Sequence, residues 1–324
     1  MKAVQVAQYG GPEVLKIKDV EIGQPKNGQA LIRVERAGVN FIDIYLRRGT
    51  YPGKLPYIPG LEGSGVVEAV GENVKNVKPG DRVAYVHEPG SYAEQTLVDS
   101  DRLILLPQEL SFEQGAAFPL QGMTAHYLIH EFRKIKPNEV VLIHAAAGGM
   151  GLLLVQWAKH LGAKVFGTVS TPEKAEIAKQ AGADEVILYT KQNFVTEINR
   201  LTNKHGADLI IDGVGKTTFA GNLEAAAVRG NIVIFGAASG PADPISPNAL
   251  MSRSLTVSGG SLSNYILTRE ELLKRAQDVM KGIKEGWLKL RIDHVYPLEK
   301  AGEAQRNMEE RKSTGKILLT ANKN

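Results

Sequence analysis

The chain contains no cysteine. That absence excludes disulfides, thiolate nucleophiles, thiolate zinc centres and cysteine-ligated iron–sulfur clusters. Nitrogen ligands are scarce as well, with seven histidines in all. The pair at helical i, i+4 spacing, His126 and His130, has Tyr127 where a zinc protease motif carries glutamate, so these read as core or surface histidines. No apolar run approaches the roughly 20 residues that a membrane-spanning helix needs, and no membrane partner is expected. The first ten residues lack the apolar core and small-residue cleavage site of a secretory signal. Concentrated charge is missing too. The net charge is +4, and the basic clusters are as short as Arg47-Arg48 and Arg311-Lys312. That is too diffuse for a nucleic-acid footprint, and no nucleic-acid partner is expected. These absences point to a cytoplasmic protein acting on small molecules.

What is present is ordinary globular material. Hydrophobic residues make up 43% and charged residues 23% of the chain, which argues against long disordered tracts. Its 324 residues exceed what one hydrophobic core usually organises, so two lobes with a cleft are expected. Residues 1–120 read as short β-rich pieces broken by Gly and Pro, with strands at Leu31 to Ala37 and Gly65 to Val70. Lys78-Pro79-Gly80-Asp81 is a type II turn signal, because Pro pre-sets φ at the second position and Gly supplies positive φ at the third.

After Phe118 the texture changes to buried strands alternating with amphipathic helices. Strands are predicted at Val140 to His144, Lys164 to Thr168, Val186 to Leu188, Asp208 to Asp212 and Asn231 to Phe235. Helices are predicted at Gly149 to Leu161 and at Pro172 to Ala181, the second capped by Thr171 with Pro in its first turn. Apolar strands separated by helices mean a parallel sheet covered on both faces, an α/β, doubly wound Rossmann domain. It is assigned to 121–290. A helix from Arg269 to about Glu285 follows the strands. Residues 291–324, with a helix from Leu298 to about Glu310 and a strand at Lys316 to Thr320, are expected to pack back on the first lobe.

Directly after the Val140 strand the chain reads Ala146-x-Gly148-Gly149-x-Gly151 and opens a helix, a dinucleotide fingerprint with Ala in the first Gly position. The pattern serves pyrophosphate binding. Backbone N–H groups at a helix N-terminus must approach the anion, and a Cβ at the closest point would block it. About 20 residues on, where an NAD enzyme places Asp or Glu against the ribose 2′-hydroxyl, stands Thr168-Val169-Ser170-Thr171 without an acid. Ser170 offers a hydroxyl and Lys174 an ammonium, which suits a 2′-phosphate and hence NADPH. Lys174 reads equally as a solvated helix residue, and Glu173 lies past Pro172, inside the helix.

The segment containing Asn138-Glu139, Leu142, Ala146-Ala147-Gly148-Gly149, Gly151, Gln156 and Lys159 closely resembles the quinone oxidoreductase and zeta-crystallin branch of the medium-chain dehydrogenase/reductases. Tyr9-Gly10-Gly11-Pro12-Glu13-Val14-Leu15, Gly38-Val39-Asn40, Pro79-Gly80-Asp81-Arg82-Val83 and Thr314-Gly315-Lys316 are similar to family landmarks, so the resemblance spans nearly the whole chain. It implies that the first lobe is an irregular β-barrel, the GroES-like catalytic domain. It also implies zinc independence, because zinc relatives carry Cys where this chain has Asn40 and His where it has Leu61, before Glu62.

Residue by residue, the resemblance assigns Gly148, Gly149 and Met150, with Gly151 of the fingerprint, to the pyrophosphate of NADPH. Ser170, Lys174 and Tyr189 fall to the 2′-phosphate end. Tyr45, Thr124, Phe235, Ala237 and Gly260-Ser261-Leu262 fall to the nicotinamide half. Asn40, Asp43 and Tyr45 are the candidate catalytic residues: Asn40 and Tyr45 orient acceptor or cofactor and Asp43 supports them. Asn40 reads equally as the N-cap of a helix starting at Phe41, with Asp43 in its first turn. The implied activity is NADPH-dependent quinone reduction in the interdomain cleft. The alternatives are reduction of enones or enals, and a non-enzymatic NADPH-binding role, crystallin-like or RNA-associated. A homodimer is implied, joined through an edge strand at Leu255 to Gly260.

Overall fold

The computed structural model describes residues 1–321, and the chain divides into two compact units. The first comprises Met1–Leu120, Ile266–Gln277 and the chain from Leu290 on; the second comprises Gln121–Tyr265 and Asp278–Lys289.

The first unit opens with an antiparallel pair, β1 (Lys2–Gln5) and β2 (Lys16–Asp19). Its organising strand is β3 (Gln29–Val39), which alternates side chains so that Ala30, Ile32 and Val34 are buried. Helix α1 (Phe41–Arg48) follows at once and ends on Gly49, whose φ of 76° closes the helix in the left-handed region that Gly adopts without penalty. Strand β4 (Glu62–Val70) lies antiparallel along one edge of β3 and carries β5 (Arg82–Val86) on its far side. The other edge of β3 takes β6 (Gln95–Asp99) along Gln29–Arg33, and β7 (Leu103–Leu105) lies beyond β5. The Lys78–Asp81 turn forms as the sequence predicts, with Gly80 at φ 90° and the Asp81 N–H donating to the Lys78 carbonyl at 3.1 Å. Helix α2 (Phe112–Ala117) is held by a capping box: the Gln114 N–H donates to the Ser111 hydroxyl, and the Ser111 N–H donates to the Gln114 side chain.

The second unit begins on α3 (Pro119–His130) and then alternates: β8 (Val140–Ile143), α4 (Gly149–His160), β9 (Lys164–Val169), α5 (Pro172–Gln180), β10 (Glu185–Leu188), α6 (Phe194–Leu201), β11 (Ala207–Asp212), α7 (Phe219–Ala225), β12 (Ala226–Ile234) and β13 (Thr256–Gly259). The strands form one parallel sheet in the order β10-β9-β8-β11-β12-β13. Every residue of β8 and β11 is buried, which is why β8 reads as an unbroken apolar run and β11 as the apolar run Leu209–Ile211 flanked by Asp208 and Asp212. The order reverses between β8 and β11, the position where open α/β sheets bind ligands.

The chain then forms α8 (Arg269–Lys284), β14 (Ile292–Pro297), α9 (Ala301–Glu309) and β15 (Lys316–Thr320). Strand β15 pairs antiparallel with the Arg36–Val39 end of β3, and β14 joins it in parallel. Ala301, Ala304 and Met308 of α9 share a core with Val39, Ile44 and Leu319. Residues 266–277 also group with the first unit, a difference from the 121–290 range that the sequence predicts for the dinucleotide-binding half. The cause is long-range: Arg269 donates to the carbonyls of Ser100, Asp101 and Leu103, and Arg102 donates to the Ile266 carbonyl at 2.6 Å. Among the described residues no helix is long and apolar enough to cross a membrane.

Candidate active site

Because all six strands of the second unit are parallel, their carboxyl ends share one edge of the sheet. The fingerprint after β8, Ser170 and Lys174 after β9, Tyr189 after β10, Phe235 and Ala237 after β12, and Ser261 after β13 all lie on segments leaving that edge. Thr124 stands apart, buried in α3.

The fingerprint loop turns through Ala145, which holds a left-handed φ of 52°, and closes with the Gly148 N–H donating to the Ala145 carbonyl at 2.9 Å. Gly148 is the N-cap of α4, and a Cβ there would meet only the Ala145 carbonyl, at 3.3 Å. That contact is tighter than an ordinary van der Waals approach and is to backbone, so a side chain here would press on the loop. Gly151 is tighter still: a Cβ on it would come within 2.3 Å of the Ala145 carbonyl oxygen, so glycine is required for α4 to seat against β8. Gly149 is covered by the Gln121 amide, 2.6 Å from where its Cβ would stand, a neighbour that no local pattern announced. Ala146 is accommodated by Gly167 of β9, where a Cβ would lie 2.6 Å from that of Ala146. The glycine missing from the fingerprint is thus supplied by the adjacent strand. The amides of the first turn of α4 and the positive end of its dipole form a cradle that fits a pyrophosphate.

At the end of β9, Thr171 caps α5, accepting from the Lys174 N–H at 3.3 Å. Lys174 is half-buried in that first turn, Ser170 is half-buried beside the cap, and Tyr189 is 43% exposed. The nearest acid, Glu173, turns back on the helix start: its own backbone N–H and the Thr171 hydroxyl hold its carboxyl below the usual range. Phe235 lies over Gly213, 2.6 Å from where a Cβ would stand, and Ala237 packs on Gly215. Ser261 is exposed, its hydroxyl 3.0 Å from that of Ser263, and the Gly260 carbonyl accepts from the Tyr127 hydroxyl at 2.9 Å. His126 and His130 pack against Trp157, and His126 is 2.9 Å from Asp278.

In the first unit the candidate catalytic residues separate by face. Asn40 and Asp43 are covered by protein, while Tyr45 is half-buried and forms an aromatic cluster with Phe41 and, edge-on at 5.8 Å, Tyr51. The backbone of Asn40 is the N-cap of α1, and its N–H donates to Asp43 Oδ2 at 2.9 Å, as the capping alternative expects. Its side chain points elsewhere. Asn40 Nδ2 donates to Glu62 Oε1 at 2.6 Å, and Asn40 Oδ1 accepts from the Lys316 ammonium at 2.8 Å. Lys316 also donates to Glu62 Oε1, and Glu62 Oε2 accepts from the Leu120 N–H. Lys offers only donors and the carboxylate only acceptors, so the Asn40 amide has one orientation. Gly38 is required beneath it, since a Cβ there would stand 2.3 Å from the Glu62 carboxylate.

Asp43 accepts from the Tyr92 hydroxyl at 3.0 Å, and its Oδ1 has no partner among the described residues. Burial pushes its carboxyl up to about 7 from the ordinary 3.8, against the lowering effect of the Asn40 N–H and Tyr92. Asn40 and Asp43 therefore brace the start of α1, and Tyr45 is the one of the three that is not fully buried. The roles of Glu62, Lys316 and Tyr92 were not read from sequence.

A family model for the alcohol dehydrogenase GroES-like domain matches residues 26–132, and one for a zinc-binding dehydrogenase matches residues 149–278. The quinone oxidoreductase of Pseudomonas aeruginosa is 40% identical, the match covering 98% of this chain and 99% of the relative. The chain belongs to the quinone oxidoreductase branch of the medium-chain dehydrogenase/reductases. Among solved structures, Escherichia coli quinone oxidoreductase complexed with NADPH superposes with a TM-score of 0.96 at 38% identity, covering 99% of this chain and 100% of that one. A 2-haloacrylate reductase from a Burkholderia species is 37% identical over 98% of both chains.

The zinc in the name of the second family model finds no matching donor set at the place where zinc relatives carry Cys and His. There stand the Asn40 amide and the Leu61 alkyl chain, and beside them Glu62 is already bonded to an ammonium. A dication would have to displace the Lys316 charge and do without sulfur or imidazole, so these residues do not fit zinc.

Proposed function

We propose that this chain is a zinc-independent NADPH:quinone reductase working as a cytoplasmic homodimer. The observation that carries the reading is the acid-free end of β9, with Ser170 and Lys174 following it and Tyr189 following the neighbouring β10, in a chain similar over nearly its whole length to quinone oxidoreductases. Bound NADPH supplies the reducing equivalents. Gly148 lets the pyrophosphate approach, the amides of Gly149, Met150 and Gly151 in the first turn of α4 hold it, and Ser170, Lys174 and Tyr189 hold the 2′-phosphate. Thr124, Phe235, Ala237 and Ser261 line the nicotinamide half. A quinone is electron-poor and its ring stabilises the reduced oxyanion, so positioning does the work that a Lewis acid does for alcohols. Tyr45, held by the braced α1, orients the acceptor.

Replacing Lys174 with Ala is expected to raise the KM for NADPH about tenfold and to leave that for NADH nearly unchanged, since one charge-assisted phosphate contact is lost. Equal effects on the two cofactors would remove the assignment. The likeness to a 2-haloacrylate reductase supports a second reading, reduction of activated carbon–carbon double bonds. Steady-state NADPH oxidation across quinones, enones and 2-haloacrylate, with product analysis, separates the two. Exhaustive chelation should leave turnover intact.

The homodimer rests on β13, an outer strand of the sheet, which among the described residues pairs with β12 alone. Its free side is a row of backbone donors and acceptors that a two-fold partner would cover. Light scattering is expected to give twice the mass of one chain, and Val257→Pro to return it to the single-chain mass. A native protein at single-chain mass across micromolar concentrations contradicts the dimer.

A further inference from the structure

Beneath the fingerprint loop lies a closed line of buried polar side chains that the cofactor assignments do not use. His144 follows β8 directly; its Nδ1 is 2.9 Å from the Thr168 hydroxyl near the end of β9, and its Nε2 is 2.7 Å from Asn222 Oδ1 on α7. Asn222 Nδ2 donates to Asp212 Oδ2 at 2.7 Å, at the end of β11. Thr168, His144, Asn222 and Asp212 are all buried, and the His144 ring meets Phe194 edge-on at 5.0 Å.

The proton positions along this line follow from the chemistry of its ends. The two oxygens of Asp212 accept from the Val214 and Gly215 N–H groups, from the Thr218 hydroxyl and from Asn222 Nδ2, so the carboxylate acts as acceptor throughout. The amide nitrogen of Asn222 therefore faces Asp212, and its oxygen faces His144. His144 Nε2 must then carry the proton, which leaves Nδ1 to accept from the Thr168 hydroxyl. Burial lowers the affinity of this imidazole for a second proton, which keeps the neutral tautomer in place.

The line ends on two loops. His144 immediately precedes Ala145, the left-handed residue that starts the fingerprint loop. Asp212 fixes the Gly213–Gly215 turn, and that turn holds the next loop: the Ala238 and Ser239 N–H groups donate to the Gly213 and Val214 carbonyls, with Phe235 and Ala237 packed on its glycines. We propose that His144, as its Nε2–H tautomer, is a positioning residue that locks the pyrophosphate loop to the nicotinamide-side loop through Asn222 and Asp212. This deepens the NADPH reading and rests on it.

The test combines tautomer and affinity. Histidine labelled with nitrogen-15 should show His144 as the Nε2–H tautomer by NMR at neutral pH. His144→Phe, which leaves Asn222 Oδ1 and the Thr168 hydroxyl without their partner, should weaken NADPH binding about tenfold and change adenosine 2′-monophosphate binding less than about twofold, because that fragment carries the 2′-phosphate but no part of the pyrophosphate. His144→Gln retains a donor for Asn222 and should bring NADPH affinity back to within about threefold of the original. Should His144→Phe fail to fold, Thr168→Val is expected to show the same selectivity at about threefold. An Nδ1–H tautomer, equal losses for both ligands, or unchanged NADPH affinity in both variants would overturn the proposal alone. Original protein that does not bind NADPH would overturn the cofactor assignment and the proposal with it, while the tautomer would still report whether the line of hydrogen bonds exists.

Discussion

Replacing Lys316 with Met is expected to cost the fold about 3–5 kcal/mol, because it leaves the Glu62 carboxylate charged and without its cation in a place that water does not reach. Glu62 keeps the Asn40 amide and the Leu120 N–H as donors, but neither carries a charge. The loss belongs to the broken pair rather than to the lysine. Adding Glu62→Gln to Lys316→Met should therefore recover much of the stability, since a neutral amide leaves no buried charge and its single oxygen still accepts from the Leu120 N–H. Urea denaturation of both single variants and the double variant measures the coupling. Simple addition of the two single losses would contradict a functional pair. Because Lys316 also fixes the Asn40 amide, Lys316→Met should disturb the start of α1, and with it the placement of Tyr45.

The second large effect concerns pH. Asp43 has a folded-state pKa of about 7, raised by burial above the ordinary 3.8, so between these values the folded protein binds a proton that the unfolded chain has released. The stabilisation this provides is complete below about pH 4 and lost as the pH rises through about 7. Asp43→Asn removes the titration while keeping an oxygen to accept from the Asn40 N–H and Tyr92. The variant should match the original protein near about pH 4 and exceed its stability at about pH 8 by on the order of 4 kcal/mol. Denaturation midpoints across that range decide the matter. A gap that is constant with pH would show that Asp43 is not held protonated by burial.

Such retention of a buried acid at a stability cost is what a bracing role for α1 predicts. Asp43 Oδ2 ties the helix start to Tyr92, and Arg47, about one helical turn later, is fully buried against Gln305 and Glu309. The helix that presents Tyr45 is therefore held at both ends by polar contacts, one near its cap and one near its C-terminus.

Much of this was legible in the sequence wherever a few neighbouring residues settle the backbone. Thr171-Pro172 opens α5, Pro79-Gly80 turns the chain, and Gly148 and Gly151 shape the loop before α4, because a cap, a fixed φ and a missing Cβ act within one or two turns. The alternation of apolar strands with amphipathic helices determined the parallel sheet in the same way, and the absence of an acid after β9 pointed to NADPH without any knowledge of packing. Strand β14 and helix α3 gave no clear periodic signal and were not read.

What only the tertiary structure decided is the partner of each buried polar group. Asn40 was legible as a helix cap, but the direction of its amide depends on Lys316, 276 residues away, and on Glu62, 22 residues away. Ala146 looked like a departure from the fingerprint until β9 placed Gly167 against it. His144 reads as one more strand residue, and its tautomer is fixed by Asp212 through Asn222. The physical reason is common to all three. Backbone conformation is set by sterics and hydrogen bonds within a few residues, whereas a buried donor or acceptor must be satisfied by whatever group the packing brings to it, and that choice belongs to the assembled fold.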